Sequence, residues 1–134
     1  MNIFILDEDP VIAARMLCDR HIPKMIVESA QMLSTAHRLL DGSPTKRRSR
    51  SGKTIQTYYE FKDMRDELYY TAVHKHHPCT TWTMASIENY NWHYGHFAEM
   101  SKEFTFRRQK KHATWEKIGM ILAAPPINLS LIHI

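Results

Sequence analysis

The chain has 134 residues, 43% of them hydrophobic and 24% charged, which is ordinary globular material sufficient for one core and too little for two. No apolar run approaches the roughly 18 residues of a membrane helix, and the N-terminus lacks the basic-then-apolar pattern of a secretory signal, so a soluble cytoplasmic protein is expected. The net charge of +4 and the pI near 9.1 lean mildly toward a polyanionic partner, while two cysteines, Cys18 and Cys79, exclude a disulfide framework and are expected as buried thiols.

The first segment, Asn2–Leu6, is apolar from the start, which predicts an N-terminus packed against the body of the protein. Asp9-Pro10 then has the form of a helix start, with Asp9 as cap and Val11, Ile12, Ala14, Met16 and Leu17 following. Residues 18–22 make a corner, where Pro23 is expected to push Ile22 out of the α region.

From His21 to Leu40 the spacing predicts a long helix that opens on Pro23 and closes at Asp41-Gly42, with Gly42 suited to a left-handed cap. Met25, Ile26, Met32, Leu33, Ala36, Leu39 and Leu40 form its apolar side. Lys24, Glu28, Gln31 and Thr35 recur at three- and four-residue steps on another. Such a stripe either faces water or lines a site. Glu28, set among Ile26, Val27 and Ala30, is expected at the edge of the core, where a carboxylate needs a partner.

Residues 42–53 crowd Lys46, Arg47, Arg48, Arg50 and Lys53 among Ser, Gly and Pro, and are expected to be a mobile basic loop, either merely solvated or in touch with phosphates. Thr54–Phe61 is β-branched and aromatic and suits an extended edge, and Asp63–Val73 reads as a short helix. His74–Pro78 breaks it, and Cys79–Ala85 begins another helix around Trp82. Ile87–Arg107 follows Ser86 as a second long helix carrying Tyr90, Trp92, Tyr94, Phe97, Met100, Phe104 and Phe106. A basic turn at Arg107–His112 and a last short helix at Thr114–Leu122 complete the body. Leu129–Ile134, LSLIHI, looks like the translation of a transposon-end adapter, which makes residues 1–128 the expected native domain. The expected class is all-α, a single domain of two long helices and several short ones with an extended N-terminal segment packed on them.

Nine histidines invite a metal reading, and His74, His76 and His77 cluster while His93 and His96 stand three apart on a helix. Yet there is no HExxH and no CxxC, so no metal and no cofactor are expected. A nucleophilic Cys79 beside His77 lacks any evident oxyanion device.

The order of these features resembles the pyrimidine-dimer DNA glycosylases, the phage-type endonuclease V family. The resemblance rests on the apolar start MNIFILDEDP, on Glu28-Ser29-Ala30-Gln31-Met32-Leu33, on His76-His77-Pro78, and on the aromatic helix ending Glu103-Phe104-Thr105-Phe106-Arg107, across about residues 1–112. It implies an all-α domain in which the α-amine of the first residue attacks C1′ of a damaged nucleotide and a glutamate supports the sugar chemistry until β-elimination cuts the strand. Carried onto this chain, the amine is that of Met1, retained because Asn2 is bulky, and the carboxylate is Glu28. An α-amine has a pKa of about 7.7–8.0, so a useful fraction is neutral at pH 7.

The chain departs from the family where phage-type members carry arginines just before and three residues after the glutamate, positions held here by Val27 and Gln31. Phosphate contacts are therefore expected from Arg20, His21 and Lys24 before Glu28 and from Arg107, Arg108 and Lys111 beyond the aromatic helix. Gln31, His77, Trp82, Asn89 and Trp92 are expected beside the cleft. The partner implied is DNA, held through its backbone by a monomer. Two other readings remain open: a non-catalytic phage nucleic-acid-binding or accessory protein of the same fold, and a small helical protein that binds another ligand through its histidines.

Overall fold

The computed structural model describes residues 2–132. Among these, α1 (Pro10–Arg15), α2 (Ile22–Asp41), β1 (Ser43–Arg48), β2 (Ile55–Glu60), α3 (Arg65–Leu68), α4 (Pro78–Thr83), α5 (Ile87–Arg108), α6 (Ala113–Ile118), a 3-10 turn (Ile121–Ala123) and α7 (Ile127–Ile132) follow in order. No helix among the described residues is long and apolar enough to cross a membrane.

The long helices form where the sequence marks their ends. Pro23 stands in the first turn of α2, and Ser86 caps α5 by accepting a hydrogen bond from the Asn89 amide at 3.0 Å. Helices α2 and α5 run antiparallel, with His37 against Tyr90, Ser29 against His93, and Arg107 reaching Leu17 and Asp19 ahead of α2. Ile22, Ile26, Ala30 and Leu33 of α2 and Tyr90, Phe97, Met100 and Phe104 of α5 build the core. Helix α1 lies on α5, and α4, α6 and α7 close round α2.

Burial of α2 goes further than its two-sided pattern predicts. Every residue from Met32 to Arg38 is buried, Ser34 and Thr35 included, because neighbours cover this half of the helix on all sides. The last turn also differs from expectation. Gly42 is extended, at φ −84°, and not left-handed. Glycine is needed there because a Cβ would stand 2.6 Å from the Arg38 carbonyl oxygen. Ile22 is already helical, one residue ahead of Pro23.

The all-α expectation is overturned by β1 and β2, an antiparallel pair registered from Ser43 opposite Glu60 to Arg48 opposite Ile55. The basic stretch expected as a mobile loop at 42–53 is the first strand and turn of this hairpin. Its order comes from side chains laid across the partner strand in place of a core. The Arg47 guanidinium sits 3.8 Å above the Tyr58 ring and donates to Glu60 Oε2 at 2.9 Å, and Lys46 Nζ donates to Thr57 Oγ1 at 2.8 Å. Gly52, at φ +74°, supplies the left-handed residue of the turn.

What joins the hairpin to the helices is Arg38, 1% exposed. Its guanidinium donates to the carbonyls of Tyr59, Asp66, Tyr69 and Tyr70 and to the Asp66 carboxylate, all at 2.7–2.9 Å. The same bond holds the Asp66 carboxyl below its ordinary range. The helix expected over 63–73 shrinks to the single turn of α3, because the carbonyls of Tyr69 and Tyr70 point at Arg38 instead of continuing a helical ladder.

Other expectations shift in smaller ways. Phe4 packs against the core, but Ile5 and Leu6 are exposed, so the N-terminal segment buries only part of its apolar surface. Cys18 is exposed and Cys79 half-buried, correcting the expectation of two buried thiols. Leu129, the first residue of the adapter-like stretch, is fully buried in the core, and residues 133 and 134 lie outside the described residues.

Candidate functional site

Glu28 is half-buried on α2, with its Oε2 atom shut off from solvent. The next residue, Ser29, is 2% exposed and hydrogen-bonds to His93 Nε2 at 3.0 Å, while His93 Nδ1 meets Thr83 Oγ1 at 2.8 Å. The Thr83 hydroxyl gives its proton to the Cys79 carbonyl at 2.8 Å, so it accepts from His93, whose proton therefore sits on Nδ1. Nε2 then accepts from the Ser29 hydroxyl. This bridge ties α2, α4 and α5 together at one junction. Glu28, Trp82 and Trp92 are the residues that precede Ser29, Thr83 and His93 in the chain.

Trp82 and Trp92 meet edge to face at 6.0 Å, and Trp92 stacks on His96 at 5.1 Å. Asn89 donates to the Trp82 carbonyl at 2.9 Å. Trp92 Nε1 donates to the Glu8 carbonyl at 2.6 Å, and His96 Nδ1 lies 3.3 Å from the Pro10 carbonyl, so the acidic corner before α1 is pinned onto α5. His77 accepts from the Cys79 amide through Nδ1 at 3.1 Å and so caps α4, the helix that carries Trp82. Trp82, Asn89 and Trp92 thus form one cluster, and His77 positions it.

The N-terminal segment runs beside the start of α2, where the Phe4 ring stacks on His21 at 5.4 Å. Arg20, His21 and Lys24 are exposed there, and Lys24 stands one turn before Glu28 on the same side of the helix. The expected approach of the Met1 amine to Glu28 lies outside the described residues, which begin at Asn2. Gln31 is half-buried, and its carbonyl accepts from Thr35 Oγ1 at 2.7 Å.

Arg107 has a different task from the phosphate contact expected of it. Its guanidinium donates to the Leu17 and Arg15 carbonyls, to Asp19 and to Glu103, at 2.8–3.1 Å, clamping the end of α5 to the corner between α1 and α2. A guanidinium with all three nitrogens so committed has little left for DNA. Arg108 is exposed beside the Phe104 ring, and Lys111 is exposed at a shallow groove of about 280 Å³ shared with Trp115.

Among the described residues no three His, Cys, Asp or Glu side chains converge as a metal site. The paired histidines of α5 are used inside the protein, His93 in the bridge and His96 against Trp92 and Pro10. A third, His37, hydrogen-bonds to the Tyr90 hydroxyl at 2.7 Å, and that hydroxyl donates onward to the Leu122 carbonyl. Burial pulls His37 down to about 4 and His93 to about 3, and lowers His96 as well.

These imidazoles make the fold acid-sensitive. Each has a folded pKa below the unfolded 6.5, so between 6.5 and about 4 the unfolded chain binds protons that the folded chain refuses. Stability is complete above pH 6.5 and falls as pH drops through that window. His37 and His93 together steepen the loss to roughly 3 kcal/mol per pH unit. Circular dichroism should record cooperative unfolding between about pH 4 and 5.5. A signal unchanged at pH 4 would contradict neutral, buried imidazoles.

Compared with protein-family models, curated proteins and solved structures, the chain matches none.

Proposed function

We propose that this protein is a DNA-repair glycosylase and AP lyase of the pyrimidine-dimer type, with the α-amine of Met1 as nucleophile and Glu28 as the carboxylate that serves the sugar. The observation that carries the proposal is the setting of Glu28. It is a carboxylate with one oxygen closed to solvent, beside a rigid polar junction of three helices, on a helix with exposed cations at one end and a cationic hairpin at the other. A negatively charged catalytic group needs such flanking cations if a polyanionic strand is to approach it.

The chemistry follows from these two groups. The amine nitrogen bonds to C1′ while the glycosidic bond breaks and the base departs with a proton. The sugar ring opens to an imine, and loss of a C2′ proton then expels the 3′-phosphate and cuts the strand. Glu28 would balance positive charge on the sugar as the base leaves and move protons between the ring oxygen, C2′ and water. The Trp82–Trp92 pair, whose members precede Thr83 and His93 in the chain, offers an aromatic surface for an unstacked base. From Phe4, three residues of chain reach about 10 Å, comparable to the rise of α2 between His21 and Glu28.

Borohydride trapping on a duplex with a single abasic site tests the proposal. The expected result is a covalent protein–DNA adduct, lost when the N-terminal amine is acetylated. A protein that binds the same duplex with a steep salt dependence yet traps none of it is the non-catalytic binding protein instead.

A further inference from the structure

Beyond the Glu28 site, the hairpin carries a group of exposed cations, Lys46, Arg47, Arg48, Arg50 and Lys53. A groove of about 540 Å³ runs between β2 and the irregular segment 71–75, lined by Gln56, Thr57, Tyr59, Val73, His74 and Lys75. A second hollow of about 400 Å³ shares Gln56, Thr57, Thr71 and Ala72 with it and continues to Arg47, Arg48 and Arg50. No acidic residue lines either one. Lys75 Nζ donates to the Tyr59 hydroxyl at 3.3 Å, and the turn that sets it there passes through His74 in the left-handed region at φ 47°. A non-glycine residue so placed costs about 1 kcal/mol or more, a strain the native contacts sustain.

The groove is fastened to the helix that carries Glu28. The Val73 amide donates to Thr35 Oγ1 at 3.1 Å, and Thr35 belongs to the stripe of Lys24, Glu28 and Gln31. Seven residues separate Glu28 from Thr35, which is two turns and roughly 10 Å along the axis on the same side of α2. Val73, which lines the groove, thus covers the buried Thr35 two turns along α2 from Glu28.

We infer that the double groove along β2 is a second contact for the phosphodiester backbone of the DNA strand engaged at Glu28, with Arg48, Arg50 and Lys75 neutralising phosphates and Tyr59 offering a ring to a sugar or base. The inference rests on the proposed DNA reading but not on its chemistry. Charge selects the ligand: the lining is cationic and neutral-polar with an aromatic ring among the cations, the combination that tracks a nucleic-acid backbone without reading sequence. A basic or apolar peptide finds no counterpart in it.

The test measures anisotropy of a fluorescein-labelled 25-base-pair duplex carrying a tetrahydrofuran abasic analogue, from 50 to 200 mM salt. The triple variant Arg48→Gln, Arg50→Gln, Lys75→Gln changes exposed side chains only, and circular dichroism checks that it folds. It is expected to weaken binding about 10-fold or more at 100 mM salt and to reduce the log–log salt slope by about 2 to 3. Wild-type protein that traps nothing would refute the lyase reading while leaving these slopes measurable. An unchanged slope in the triple variant overturns the groove assignment. Poly-glutamate competing as well as DNA, charge for charge, overturns it in favour of an acidic protein partner.

Discussion

Replacing Arg38 by methionine is expected to remove about 4 kcal/mol or more of stability, a large share of what a domain of this size possesses. Methionine matches much of the volume and keeps the apolar contacts of the stem, so packing loss is small. The loss comes from the groups left behind. Four backbone carbonyls, of Tyr59, Asp66, Tyr69 and Tyr70, lose their donor, and the Asp66 carboxylate loses its cation. Each stranded acceptor costs about 1–3 kcal/mol where water cannot replace the donor. Asp66, with 27% of its side chain exposed, can be rehydrated and contributes less. Arg38→Lys is expected to recover under half of the loss, because a single ammonium offers three donors and cannot span acceptors arranged round a planar fork. Urea denaturation measures the total. Hydrogen exchange should locate the damage in β1, β2 and 61–73 before the α2–α5 pair opens. A loss below about 1 kcal/mol would mean that the guanidinium site can dry out or refill without penalty.

This residue also marks where the sequence stops being informative. The boundaries of α2 and α5 are legible because Pro23, Ser86 and a regular apolar spacing announce them locally. Arg38 carries no such local sign, since its partners lie 21 to 32 residues further along the chain. An isolated arginine in a helix reads as surface until the groups it satisfies are known. The hairpin was hidden for the same kind of reason. Composition alone makes 42–53 look unfoldable, and its order depends on Arg47 lying over Tyr58 and pairing with Glu60 across the register. His93 is the opposite case: with Tyr90, Phe97, Met100 and Phe104 it occupies the core stripe of α5, so its spacing points inward. The three-residue separation of His93 and His96 suits chelation, but the face that they occupy is the buried one. Glu28 was legible as a residue at the core boundary, and its half-buried setting agrees.

Glu28→Gln is expected to lower single-turnover strand cleavage at an abasic site by about 10²- to 10⁴-fold, the range over which a positioned proton-transfer group contributes. Glutamine keeps the size and the hydrogen-bonding capacity of the side chain, so a role confined to structure would be largely preserved. What it removes is the negative charge and the ability to take up a proton, and both are required as the base leaves and C2′ is deprotonated. Affinity should move in the other direction. Loss of one negative charge near a bound polyanion favours association, so the variant is expected to bind the abasic duplex as tightly as wild type or more tightly, most clearly at low salt. The divergence between undiminished affinity and slower cleavage separates chemistry from folding. A structural defect would weaken both, and thermal melting would register it as well. Glu28→Asp supplies the complementary arm, since it restores the charge but withdraws it by about one methylene, so partial recovery of cleavage is expected where positioning matters. Equal cleavage by wild type and Glu28→Gln would leave the carboxylate without a catalytic task and assign the elimination step to other groups.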